Sequence, residues 1–324
     1  MTRRPDARPS PDRRIGGGSL IAGLLAVTLA ACSSAVTRTP APRAPSPAAA
    51  TATPSPTATP APPVMATLAD CAAAVPRPAL HVVHHFTVSP DDIAIDPSGR
   101  FWVSARVAGQ LIGMNPDGSG VTTATVPGGP EGVAIAASGI YVAEQNVNAI
   151  EQFTTPRHDV VVLPNHTANA GIDGISAGPT SRTLLIPDSP NGTLLEVSLV
   201  GPPSPRVIAA HLGRPVAAIA GPSGAIFVAS ESSPGLVMVT PAGAVTRIGR
   251  FTDLDEVVAY AGLLYVTELD RHDVVAVDPR SGASVAIAVS LPAPQGLAVT
   301  ASGILEVVDA TTDTLYSLPA CGVA

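Results

Sequence analysis

From Pro130 to Phe153 the chain reads PEGVAIAASGIYVAEQNVNAIEQF. An apolar run of small residues (Val133 to Ala136) is followed by a Ser-Gly turn, a second apolar run (Ile140 to Ala143) closed by Glu144, a polar loop, and a third run starting near Ala149. Short apolar runs bounded by Gly, Ser and Asn predict strands joined by tight turns. The same phrase returns five more times. Aligned on one position of the opening run, the copies sit at Ile93, Val133, Ile175, Ala218, Val257 and Leu297, spaced 40, 42, 43, 39 and 40 residues apart. A period near forty built of short strands is that of a propeller blade. Consecutive strands without helical stretches predict antiparallel pairing throughout.

The two ends of the repeat array complement each other. Leu80 to Val88 (LHVVHHFTV) alternates like a strand but precedes the first repeat, whereas the last repeat, Pro294 to Leu318, supplies only three strands. The expected fold is therefore an all-β, six-bladed β-propeller of four-stranded antiparallel blades over residues 66–324, its ring closed by the N-terminal strand in the last blade. The core must be Val, Ile, Leu and Ala, since only 3% of residues are aromatic. That set suits nested strands.

This topology sends two sets of positions to one face of the disc. Those two before the alignment position are Asp91, Glu131, Asp173, Val216, Asp255 and Gln295; those closing the second strands are Ala105, Glu144, Asp188, Ser230, Glu268 and Asp309. Eight of the twelve are acidic, and Asp92, Glu256, Asp270 and Asp273 lie beside them in sequence. An acidic mouth on the central channel follows, with Gly132, Ala134, Gly174, Ala217 and Ala298 as small lining residues. The strand-closing acids suit loop hydrogen bonds. The carboxylates of Asp91, Glu131, Asp173 and Asp255 form a candidate site for Ca²⁺ or Mg²⁺, because crowded like charges either bind a cation or raise one another's pKa. Of the seven His, only His272, between acids in LDRHD, is placed to approach that face. The chain has no G-x-S-x-G elbow, phosphate-cradling Gly loop or Cys/His metal spacing.

Charge and composition set the rest. Residues 1–31 carry five Arg, then an apolar run (Ile15 to Ala31) too short and too broken by Gly for a comfortable membrane span. The run ends in Leu29, Ala30, Ala31 and Cys32, which resembles a bacterial lipobox and implies cleavage before Cys32 and a lipid on its sulfur. Residues 32–65 are rich in Pro, Ala and Thr, without an apolar face, and read as a disordered, semi-rigid spacer. Without the five Arg and two Asp of the leader, 13 basic and 23 acidic side chains remain, a net of about −10. Nucleic acid is excluded as a partner on that balance. An exported protein, lipid-anchored to the outer face of the cell membrane and monomeric, is expected. With Cys32 taken by lipid, Cys71 and Cys321 are left to pair in an oxidising compartment. The sequons at Asn165 and Asn191 are surface-loop signals.

The phrasing PEGVA, then SGIYVAE, then a polar loop and an apolar strand, resembles the NHL and SMP-30/gluconolactonase propellers and also streptogramin lyase, over residues 80 to 320. The SMP-30 likeness, strongest in GIDGISAGPTSRTLLIPDSPNGTLLEV (Gly171 to Val197), implies a lactonase with a divalent metal held at the starts of strands. Here Asp173 stands where that family would place Asn, and Val216 where it would place Asp. The streptogramin-lyase likeness implies a functional trio at Asp255, Gln295 and Asp309, leaving Asp255 and Asp309 as catalytic candidates. Gln295 stands where a general-base His belongs. The function expected from these readings is a cell-surface module that binds a small molecule or an envelope protein; the alternative is a metal-dependent hydrolase of the SMP-30 type.

Overall fold

The computed structural model describes residues 64–73, 80–137, 139–153, 158–163, 171–180 and 182–323. The leader, Cys32, the spacer up to residue 63 and Asn165 lie outside them. A short helix, α1 (Leu68–Ala73), precedes β1 (His81–His85). Blade 1 is β2 (Ile93–Ile95), β3 (Phe101–Ala105), β4 (Gln110–Met114) and β5 (Thr122–Thr125). Blade 2 is β6 (Pro130–Ala136), β7 (Gly139–Glu144), β8 (Ala149–Phe153) and β9 (His158–Val162); blade 3 is β10 (Ser176–Ala177), β11 (Thr183–Asp188), β12 (Thr193–Ser198) and β13 (Pro205–Ala210). Blade 4 is β14 (Pro215–Ala220), β15 (Ile226–Ser230), β16 (Val237–Val239) and β17 (Val245–Arg247). Blade 5 is β18 (Leu254–Tyr260), β19 (Leu263–Glu268), β20 (Asp273–Val277) and β21 (Ser284–Val289). Blade 6 is β22 (Pro294–Val299), β23 (Ile304–Asp309) and β24 (Thr314–Pro319), with β1 as its outer strand.

Six four-stranded antiparallel sheets thus form a ring, and β1 closes it on β24, with His85 opposite Thr314 and His81 opposite Ser317. The expected pairing of Cys71 with Cys321 is present; it joins residues 250 apart in sequence across a Cα–Cα distance of 4.8 Å. The core is distributed. Each buried apolar cluster sits between two adjacent blades, as between blades 4 and 5 around Phe227, Phe251 and Val266, or between blades 2 and 3 around Tyr141, Ile150 and Ile186. Side chains alternate along a strand, so each sheet buries both flanks against its neighbours.

Four inner strands carry a bulge near their starts. The register slips between Pro130 and Val133, Pro215 and Ala217, Leu254 and Val257, and Pro294 and Leu297. A bulge re-aims the residues it contains. Here those residues are Glu131, Val216, Asp255 and Gln295, members of the ring read from the repeat. Close approach of successive inner strands restricts the position after them: a Cβ on Gly174 would stand 2.0 Å from the Val216 carbonyl oxygen.

Candidate functional site: the acidic mouth

Asp91, Glu131, Asp173 and Asp255 line one cavity together with Asp92, Glu256, Val216, Gln295, Gly132 and Gly174. Its volume is about 20 Å³, room for about one water-sized particle. Next to it the channel widens to about 220 Å³, lined by Ile93, Val133, Val257 and Leu297 among others, with Asp92, Ser176 and Glu256 also on its wall. Asp92 and Glu256 border both spaces and so mark the waist between them. Of the small residues expected in the channel, Ala298 lines it, whereas Ala134 and Ala217 pack between blades.

The waist is built twice on one plan. Asp92 accepts from its neighbour's backbone, Ile93 N at 2.6 Å, and across the blade boundary from Val133 N at 2.7 Å. Its own N–H donates to Ser104 Oγ at 2.9 Å, and the Ser104 hydroxyl donates to the Glu131 carbonyl in the next blade. Four blades on, Glu256 accepts from Val257 N at 2.7 Å and donates through its N–H to Thr267 Oγ1 at 2.8 Å. The Thr267 hydroxyl donates to the Gln295 carbonyl at 3.0 Å. Asp92 and the hydroxyls of Ser104 and Thr267 therefore stitch neighbouring blades together.

Asp173, Asp91 and Glu131 have partners within the protein. Asp173, its side chain 8% exposed, accepts from Gln145 Nε2 and from Ser189 Oγ at 2.9 Å, and lies 2.7 Å from an Arg214 guanidinium nitrogen. The same guanidinium pairs with Glu231. Asp91 accepts from Arg106 N at 2.6 Å, and Arg106 Nε stands 3.6 Å from Glu131 Oε1. Burial pushes Asp91 up to about 6 and raises Asp92 above the ordinary carboxylate range. Burial and the nearby Asp173 charge raise Glu131 and Asp255; burial and Asp92 raise Glu256. The mouth is thus a cluster of buried carboxyl groups with two guanidiniums beside it.

The residues that complete it were missed by the repeat analysis. Arg106, Gln145, Ser189 and Glu231 each follow the residue that closes a second strand. The strand-closing ring itself, Glu144, Asp188, Glu268 and Asp309 included, does not line the cavity. Both rings do reach one face of the disc, since Glu144, Glu268 and Asp309 pair with Pro130, Leu254 and Pro294 at the starts of the inner strands, but only the first ring lines the cavity. Alternation is the reason: if the last strand residue lies on a blade flank, the next turns over the strand end toward the axis. Asp309, fully buried, accepts from Ala293 N at 2.9 Å, Thr312 N at 2.8 Å and Thr311 N at 3.1 Å, and so holds loops. His272 sits exposed in the turn between β19 and β20, outside the cavity.

The SMP-30 resemblance implies a divalent cation at this place, and the donor set does not fit one. Ca²⁺ and Mg²⁺ need about six or more free oxygens. Both Asp173 oxygens are taken by protein donors, Asp92 is tied to two backbone N–H groups, and Val216 offers only methyl groups. Among the described residues no three His, Cys, Asp or Glu side chains form a group that could hold an ion.

Neither a protein-family model nor a curated protein sequence matches this chain. Solved structures do. A gluconolactonase from Xanthomonas campestris is 16% identical with a TM-score of 0.65, the match covering 81% of this chain and 98% of that one. A putative gluconolactonase is 13% identical with a TM-score of 0.62, over 75% and 93%. Virginiamycin B lyase from Staphylococcus aureus is 14% identical with a TM-score of 0.55, over 74% and 87%. At these identities the likeness is one of fold, on which unrelated activities are carried.

Proposed function

We propose that this protein is a non-catalytic binding module, held by a lipid on Cys32 at the outer face of a bacterial cell membrane, that offers the acidic face of its disc to a small molecule or an envelope protein. The observation that carries this reading is where the chain joins the disc. Ala66 N donates to Ala261 O at 2.8 Å in the turn between β18 and β19, and Cys71 is bonded to Cys321 just after β24. Both joints lie at the strand ends opposite the mouth. A tether attached there leaves the mouth facing outward.

The alternative, a metal-dependent hydrolase of the SMP-30 type, rests on the fold likeness and meets two obstacles in the site. A cavity of about 20 Å³ has no room for a lactone ring beside the carboxylates, and two of those carboxylates, Glu131 and Asp173, are already paired with Arg106 and Arg214. Calorimetric titration with Ca²⁺ and Mg²⁺, with a lactone-hydrolysis screen run with and without chelator, separates the readings. We expect no turnover. Hydrolysis that chelator abolishes and Asp173→Ala removes would sink the module reading. The anchor is tested by labelled fatty acid, expected to enter the wild-type protein and not Cys32→Ser.

A further inference from the structure

On the face opposite the mouth, between blades 4 and 5, lies a groove of about 690 Å³. Ligand sites for small molecules span about 300–1,000 Å³. The groove exists because β17 has only three residues, where the outer strands β13 and β21 of the flanking blades have six, so the neighbouring apolar flank is left partly uncovered. Phe227, Met238, Ile248 and Leu264 form its apolar lining. Met65 lies over the turn at Gly262, where an added Cβ would meet its Cε at 2.1 Å.

The charge of this groove is the reverse of the mouth's. Among the described residues no acidic side chain lines it, and Arg247 and Arg280 do. Arg247 is exposed and forms no ion pair or side-chain hydrogen bond among the described residues. Asp278, the acid nearest Arg280 in sequence, spends its carboxylate on Arg280 N at 2.9 Å and Ser281 Oγ at 2.8 Å and does not line the groove. Two cations at the rim of an apolar hollow, on a chain of net negative charge, match a ligand with an apolar body and one anionic end.

We propose that this groove is a binding site for a small amphipathic carboxylate, its chain on Phe227, Met238 and Leu264 and its head between Arg247 and Arg280. It is separate from the mouth in place and in sign, and stands whether or not the mouth binds anything.

The test uses the full chain and a dansyl-labelled long-chain carboxylate, followed by fluorescence, with laurate and dodecanol as competitors. Saturable binding is expected, with laurate displacing the probe at roughly tenfold lower concentration than dodecanol, since charge-assisted contacts to the head are lost in the alcohol. The double variant Arg247→Ala/Arg280→Ala should weaken the probe roughly tenfold or more. Thr246 is exposed and pairs with Met238 across the sheet on the groove side, so Thr246→Trp should fill the hollow and abolish binding. Equal competition by laurate and dodecanol would overturn the proposal, as would wild-type affinity in both variants. So would self-association of the chain that Thr246→Trp removes, because a second copy would then be the occupant. Should Thr246→Trp fail to fold, the arginine variant, altered only at exposed side chains, decides.

Discussion

Glu306 offers the sharpest check on how this domain handles buried charge. It lies on β23, 4% exposed, opposite Ala298 and Ser317, on the flank that faces blade 1. Its Oε2 has no hydrogen-bond partner among the described residues. Burial alone pushes it from 4.5 up to about 8. In the unfolded chain this carboxyl loses its proton near 4.5, and in the folded protein not until about 8. Between those values the native state holds the extra proton, so stability falls as pH rises through the window, by up to about 1.4 kcal/mol per pH unit. The full shift corresponds to about 5 kcal/mol as an upper bound. Relaxation and water penetration bring the working figure to about 2–4 kcal/mol. Glu306→Gln keeps the shape and removes the charge. Urea unfolding at pH 5, 7 and 9 should find the variant equal to the wild type or about 1 kcal/mol weaker at pH 5, where a neutral acid is traded for an amide. At pH 9 the order reverses and the variant is about 2–4 kcal/mol more stable. A difference between the two proteins that does not change with pH would refute the reasoning.

Three further outcomes test the frame. Replacing both cysteines by serine removes the closure of a 250-residue separation, for which the chain-entropy argument allows about 5 kcal/mol; calorimetry should register a fall of up to roughly 10 °C in Tm. Arg214→Ala strips a guanidinium from Asp173 and Glu231, and denaturant unfolding should show a loss of about 1–3 kcal/mol, moderated because the arginine side chain is 37% exposed. Gly174→Ala places a methyl group against the Val216 carbonyl, and the strands must part to admit it; a cost of about 1–3 kcal/mol in the same assay is expected.

Blade number, strand order and ring closure were legible because they depend on periodicity alone. The turn and the opening run recur in phase from Ile93 to Leu297, and the orphan strand at His81–His85 had one vacant place to fill. The gathering of Asp91, Glu131, Asp173 and Asp255 was legible for the same reason, since equivalent positions of a ring face one axis. What answers their charge was not. Arg106 shares its place after the second strand with Gln145, Ser189 and Glu231, but the residue types there differ from blade to blade, and Arg214 stands elsewhere in its repeat, so no recurring residue marks either arginine. The side toward which Asp309 points depends on the register at the strand end, which a shift of one residue reverses. The groove between blades 4 and 5 arises from the shortness of β17, and a strand's outer limit is weakly written in a run such as Val245, Thr246 and Arg247.

The bond between Cys71 and Cys321 also decides how the molecule bears load. A pull on the chain upstream of Val64 reaches Cys71 before it reaches β1, and the covalent link hands the tension to the end of β24. That strand is flanked by β1 on one side and β23 on the other, so it resists in shear along two ladders at once. The outermost strand, the one a tug would otherwise peel away, is bypassed. Under flow or traction the disc would be dragged whole rather than unzipped.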